Sequence, residues 1–138
     1  MSMLERDYVL RAIQQLARAI GRIVGLKRAG KLDEALEEVR VTADGIFGKV
    51  RSSLDAIDPQ SAARLLASPE KIEAYAMLTA EEASIRELMG DAARTRRGER
   101  RALELYLEAM ALGLEISDDA HAAIAKLRRK VDESGLTS

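Results

Sequence analysis

Five arginines fall within eight residues: Arg94, Arg96, Arg97, Arg100 and Arg101, opposed only by Glu99. A guanidinium presents a planar fork of donors that matches phosphate oxygens, so this cluster is the sharpest candidate for binding a phosphorylated ligand or nucleic acid. The same charges placed at the end of one helix would complement its negative dipole end. No aromatic residue interleaves them for base stacking. Nucleic acid is therefore the disfavoured ligand, and a solvated, salt-bridged turn is the simpler reading.

Other chemistry is thinly supplied. His121 is the one imidazole of the chain. It stands near Asp118, beside an apolar stripe, and a general acid–base role would need further groups converging on it in a cleft. No nucleophile elbow or comparable motif is present. The pairs Glu37/Glu38, Glu81/Glu82 and Asp118/Asp119 consist of helix neighbours, which point about 100° apart and chelate a cation poorly. They read as solvated faces and dipole caps. The chain has no Cys, which excludes disulfides, thiolate metal sites and Cys nucleophiles. No catalytic residue, cofactor site or metal site is expected.

Composition bounds the rest. The 138 residues suit one domain, and 47% hydrophobic with 33% charged residues is the balance of a globular chain. A net charge of −1 exerts no global pull on nucleic acid or anionic lipid. No apolar run approaches the roughly 20 residues of a membrane span. Glu5, Arg6, Asp7 and Arg11 precede or interrupt the first apolar residues, unlike a signal peptide. A cytoplasmic protein without membrane contact is the expectation.

The elements that would position these groups are all helical. Val9, Ile13, Leu16, Ile20, Ile23 and Val24 mark one face of a first helix over about 4–28, with Gly30 past its end. A second helix is expected from Leu32 to Ile57, its stripe running through Leu36, Val39, Ala43, Ile46, Val50 and Leu54. Gly45 and Gly48 lie inside it and mark a bend or a close approach. Asp58-Pro59 and Ser68-Pro69 are N-cap and first-turn pairs. They predict a short helix over Pro59–Ala67 and a longer one over Pro69–Ala93. A turn follows at Arg94–Gly98, then a helix over 99–113 that is apolar almost all round and belongs in the middle of the packing or against a partner. Ser117-Asp118-Asp119 opens a last helix, which Gly135 closes. The expected architecture is a single all-α domain, 1–138, of about six helices. It comprises a hairpin (4–57), an irregular connection (58–68), a second hairpin (69–113) and a C-terminal helix (117–134).

The phrase Gly30-Lys31-Leu32-Asp33-Glu34-Ala35-Leu36 and its looser copy Gly98-Glu99-Arg100-Arg101-Ala102-Leu103 resemble the second-helix half of a tetratricopeptide repeat. From Met89-Gly90 through Ala92, Ala102, Tyr106 and Ala109 the pattern of that family is matched moderately. Ala35 and Ala102 stand 67 residues apart, near twice the repeat period, yet a helix start at Ser68-Pro69 occupies the place of a middle copy. The resemblance is thus to a relative of the family, not to a regular array. Met3–Tyr8 followed by a long helix and Gly30–Leu36 also resembles a family of small bacterial proteins of unknown function, which brings no active site with it.

Together these features lead to the expectation of a non-enzymatic helical scaffold. A face or groove between hairpins, with Tyr75 and Tyr106 as lining if they are not simply core, would receive a partner helix or peptide. Leu4, Tyr8 and Leu26 lie beyond the main stripe of the first helix, so a homodimer through that helix is a second expectation. An Arg-centred binder of nucleic acid or a phosphorylated ligand is the alternative.

Overall fold

Seven helices make up the computed structural model, which describes residues 3–137: α1 (Met3–Arg28), α2 (Leu32–Phe47), α3 (Val50–Ala56), α4 (Pro59–Leu66), α5 (Pro69–Leu88), α6 (Ala92–Ala111) and α7 (Asp118–Thr137). The all-α class follows, and among the described residues there is no strand. Side chains of Glu5 and of residues 134–137 lie outside the description, but the backbone of α7 continues helical through Gly135 instead of ending there.

Two departures from the expected elements have physical causes. The helix expected over 32–57 is broken, because Gly48 adopts φ +60° and ends α2, and α3 starts afresh at Val50. Gly45 remains helical and serves close approach instead. A Cβ there would come within 2.8 Å of the Gln15 amide nitrogen on α1. Between the hairpins the short helix expected over Pro59–Ala67 is present as α4, capped by Asp58, whose carboxylate accepts from the Ser61 amide at 3.1 Å.

The second departure moves the turn of the second hairpin. It lies at Met89–Asp91, not at Arg94–Gly98. Gly90 takes φ +82°, its amide donates to Glu87 O at 3.0 Å, and Asp91 N donates to Arg86 O at 3.0 Å. The first hairpin closes in the same way: Gly30 has φ +74°, Gly30 N reaches Lys27 O at 3.1 Å and Lys31 N reaches Leu26 O at 2.9 Å. Both are left-handed glycine stops with paired amide-to-carbonyl bonds. The two hairpins therefore correspond at an offset of 60 residues, Gly30 with Gly90, and not at 67. Ala35, Val39, Ala43 and Ile46 then match Thr95, Glu99, Leu103 and Tyr106, and all eight are buried.

Gly98, which looked like a stop, is an interior residue of α6. A Cβ on it would sit 2.8 Å from Ala83 Cβ and 3.4 Å from Ala83 Cα on α5. With Ala76, Ala83 and Ala102 also buried, α5 and α6 make the most extensive helix–helix contact of the molecule. Its neighbours on both sides explain why α5 shows no single apolar stripe. Ile72, Tyr75 and Ala76 face one core with α4, α6 and α7, and Ala74, Leu78 and Ile85 face a second core with α1 and α2. The helix buried on two sides is thus α5. Leu88 is 56% exposed, as the helix ends there.

Charged ties reinforce this arrangement at its edges. Lys27 on α1 reaches Glu81 at 2.9 Å and Ser84 at 3.0 Å on α5. Lys130 on α7 lies 3.4 Å from Glu99, a carboxylate that α6 otherwise buries. Glycines separate the two kinds of helix interior. Gly98→Ala is expected to destabilise the fold by about 1–3 kcal/mol through overpacking against Ala83. Gly25→Ala, with nothing within 4 Å of the new methyl, is expected to stabilise α1 by up to about 1 kcal/mol. Urea unfolding of the two variants measures both, and equal effects of one sign would contradict the packing described.

Candidate functional site

The arginine cluster is dispersed by the position of the turn. Because α6 begins at Ala92, these residues occupy its first three turns, next to the positive end of the helix dipole and not the negative one. Asp91 caps the helix, its carboxylate accepting from Arg94 N at 3.1 Å, and it lies 3.5 Å from the Arg94 side chain. Arg96, Arg97 and Arg100 are exposed. Arg101, next to Arg100 in sequence, points inward.

The inward course of Arg101 answers a local need. Helix α3 cannot end with a glycine stop. Its cap residue Ile57 is extended, with φ −112° and ψ 163°, and Asp58-Pro59 immediately starts the next helix. Its last carbonyls therefore lack amide partners of their own chain segment. Arg101 supplies them from α6, donating to Leu54 O at 2.6 Å and to Ile57 O at 3.0 Å. On the way it crosses the Tyr75 ring, 5.7 Å from the centroid, and donates to the Tyr75 hydroxyl at 3.3 Å.

Tyr75 is the centre of a wider network. Its hydroxyl donates to Asp55 at 2.5 Å, and its ring meets Phe47 edge-on at 5.6 Å. Asp55 also lies 3.3 Å from Arg51 Nε, an ionic approach without hydrogen-bond geometry, and Arg51 reaches Asp44 at 3.1 Å. A polar cleft of about 270 Å³ opens here, with Glu82 and Thr79 on its wall and Val39, Ala43 and Leu78 on its floor. Its chemistry is quiet. Burial and the Asp55 hydrogen bond push the Tyr75 pKa up to about 12, which holds the phenol neutral and makes it a poor base. Each guanidinium already has an anionic or carbonyl partner.

The two tyrosines read as core or groove are buried, and each also lines a cleft, Tyr75 the polar one and Tyr106 one between α5, α6 and α7. Tyr75 and Tyr106 are 4% and 2% exposed. Burial, with Glu73 and Asp119 nearby, raises the Tyr106 pKa to about 12 as well. His121 is exposed on α7. Of the carboxylate pairs, Glu38 is bound to Arg22 at 2.6 Å, Glu37 to Arg40, and Glu81 to Lys27. Among the described residues no group of His, Asp and Glu is placed to hold a metal ion, and no helix is long and apolar enough to cross a membrane.

Two surface depressions were not anticipated. The first is an apolar cleft of about 150 Å³ beneath the first turns of α1, bounded by α2, α3, α4 and α5. Tyr8, Ile13, Val50 and Leu65 on its wall are 42–53% exposed. Tyr8 is held there by a hydrogen bond from its hydroxyl to Ile46 O, and Lys71 lies 5.9 Å over its ring. The second, about 620 Å³, adjoins the first through Ile13, Glu70 and Ala74 and runs between α1, α5 and the α6–α7 connection. Its wall carries Glu70, Glu73, Glu115, Asp118 and Asp119 and no Lys or Arg. Glu73 accepts from the Ser117 amide and hydroxyl, and Ser117 in turn caps α7 through the Ala120 amide at 3.1 Å.

No protein-family model matches this chain, and no curated protein or solved structure is significantly similar to it.

Two predictions follow from the Arg101–Tyr75 network. Arg101→Ala, which strands two partly buried carbonyls, is expected to lower stability by about 2–3 kcal/mol. Arg101→Lys should recover less than half of that loss, since one ammonium cannot reproduce the fork. Chemical denaturation of both variants decides, and full rescue by Lys would refute the forked role. The tyrosines give a pH test. A phenol whose proton is held more tightly in the folded chain contributes stability below its ordinary pKa of 10 and loses it as pH rises through about 12. Stability should therefore fall across that alkaline window, and Tyr75→Phe/Tyr106→Phe should flatten the fall.

Proposed function

We propose that this protein is a non-enzymatic helical interaction module that receives an apolar helix or peptide in the cleft beneath α1. The observation that carries this reading is the cleft itself. Four large side chains from α1, α3 and α4 (Tyr8, Ile13, Val50 and Leu65) stand about half exposed around one depression. Scattered single hydrophobes on a surface need no explanation, but a contiguous apolar wall marks a site of contact. An amphipathic helix laid into such a groove anchors through side chains spaced three and four apart. The polar groups nearest by, around Tyr75 and Arg101, are occupied in holding α3, which leaves the apolar surface as the feature open to a partner. Kinship with the tetratricopeptide proteins, whose paired helices also receive peptides, is part of the same proposal.

The alternative, an Arg-centred binder of a phosphorylated ligand, rests on the three exposed guanidinium groups of Arg96, Arg97 and Arg100. Arg94 and Arg101 are engaged elsewhere.

Selection from a random peptide library on the immobilised protein is expected to enrich amphipathic helical sequences. Val50→Glu/Leu65→Glu should abolish their binding while leaving the far-UV circular dichroism unchanged. Enrichment of nothing, or of peptides indifferent to the two substitutions, would overturn the module reading. Filter binding at low salt with Arg96→Ala/Arg97→Ala/Arg100→Ala as the control tests the alternative.

A further inference from the structure

Helix α1 carries a stripe that shares Ile13, Ile20 and Val24 with the face read as buried and continues beyond it onto exposed positions. Met3, Arg6, Leu10, Ile13, Ala17, Ile20 and Val24 follow one another at alternating steps of three and four residues. That is the seam spacing of helices that pair along their length. The stripe is about 30 Å long at 1.5 Å per residue. Its upper part packs inward, Ile20 against the core shared with α2 and α5. Its lower part does not. Met3 is 82%, Leu10 49% and Ile13 42% exposed, and Arg6 and Ala17 are exposed too. Nothing within the described chain covers these positions.

The acidic groove lies directly beside this stripe, and Ile13 belongs to both. Each has what the other lacks. The groove wall presents five carboxylates and no cation, above an apolar floor that includes Leu16 and Met77. The stripe presents apolar residues with one guanidinium, that of Arg6, in their midst. Groove and stripe adjoin on one face, so a two-fold axis between two copies sets each stripe against the other copy's groove in a self-complementary contact.

We propose that the occupant of this face is the first helix of a second copy of the chain, packed antiparallel on α1 in a two-fold dimer. Centred near Leu10, the antiparallel register sets Arg6 of one copy opposite Ile13 and Gln14 of the other, at the mouth of the acidic groove. It sets Met3 against the small Ala17. The apolar seam supplies the area, for which a stable dimer needs about 1,000 Å² in total. The Arg6–carboxylate attraction fixes orientation and register. This rests on the interaction-module reading, and its face adjoins the Val50–Leu65 wall, with which it shares Ile13.

Sedimentation velocity and light scattering on the full chain are expected to show a dimer at micromolar concentration. Leu10→Glu and Arg6→Glu, both exposed and so without consequence for the fold by circular dichroism, should each weaken it by about tenfold or more. Glu70→Arg/Glu115→Arg should do the same, and adding Arg6→Glu to that pair should restore the dimer. A dimer that survives Leu10→Glu or Arg6→Glu overturns the proposal, as does a triple variant that fails to regain it. A wild type that is monomeric yet still selects peptides at Val50 and Leu65 overturns the dimer and leaves the module reading standing.

Discussion

The fold depends on one close approach, that of α5 to α6 at Ala83 and Gly98. Because α6 has hydrogen in place of a methyl at that point, the two backbones come near enough for the alanines along the contact to interlock. Everything else is arranged around this pair. The hairpin of α1 and α2 lies on one side of α5, α4 and α7 pack with α6 on the other, and the charged ties Lys27–Glu81 and Lys130–Glu99 close the two margins. A glycine costs helical stability wherever backbone entropy is the main term. Here dispersion contacts across the pair offset that cost.

The same position shows where sequence reasoning succeeds and fails. Gly30 was legible as a helix stop because every signal was local: Lys27 and Arg28 before it, Asp33 and Glu34 after it, and a periodic apolar stripe on either side. Gly98 carries the identical residue type with a tertiary meaning, and no local signal separates the two. The stop is Gly90, with Asp91 behind it as N-cap, whereas the likeness of the Gly98 phrase to the Gly30 phrase places the turn at Arg94–Gly98. Gly48 was flagged, yet only its left-handed backbone distinguishes a break from a bend. The all-α class and most helix bounds were readable for the opposite reason, as amphipathic periodicity and the two Pro caps act over a few residues.

The candidate sites were less legible, since burial reverses the meaning of a side chain. Tyr75 and Tyr106 were open to either reading, groove or core, and packing between helices decided for core. Val50 looked like a continuation of the α2 stripe and became surface once the helix broke at Gly48. Arg101 was one of five equivalent cations, and only the extended Ile57, 44 positions earlier, gives it a role. The polar side chains around Tyr75 and Arg101 are consumed in ending and joining helices.

The sharing of α5 between two cores also has a consequence in time. A chain made from its N-terminus presents α1 and α2 well before α5 exists, and the inner faces of that hairpin include Val39, Ala43 and Ile46, whose cover is Ala74, Leu78 and Ile85. The first half therefore has no finished interior to fold onto during synthesis. It must wait, partly collapsed and with apolar surface open to the ribosome exit and its chaperones, until residues near 90 have emerged. The hairpin that is easiest to recognise in the sequence thus becomes fully native only once α5 has been made.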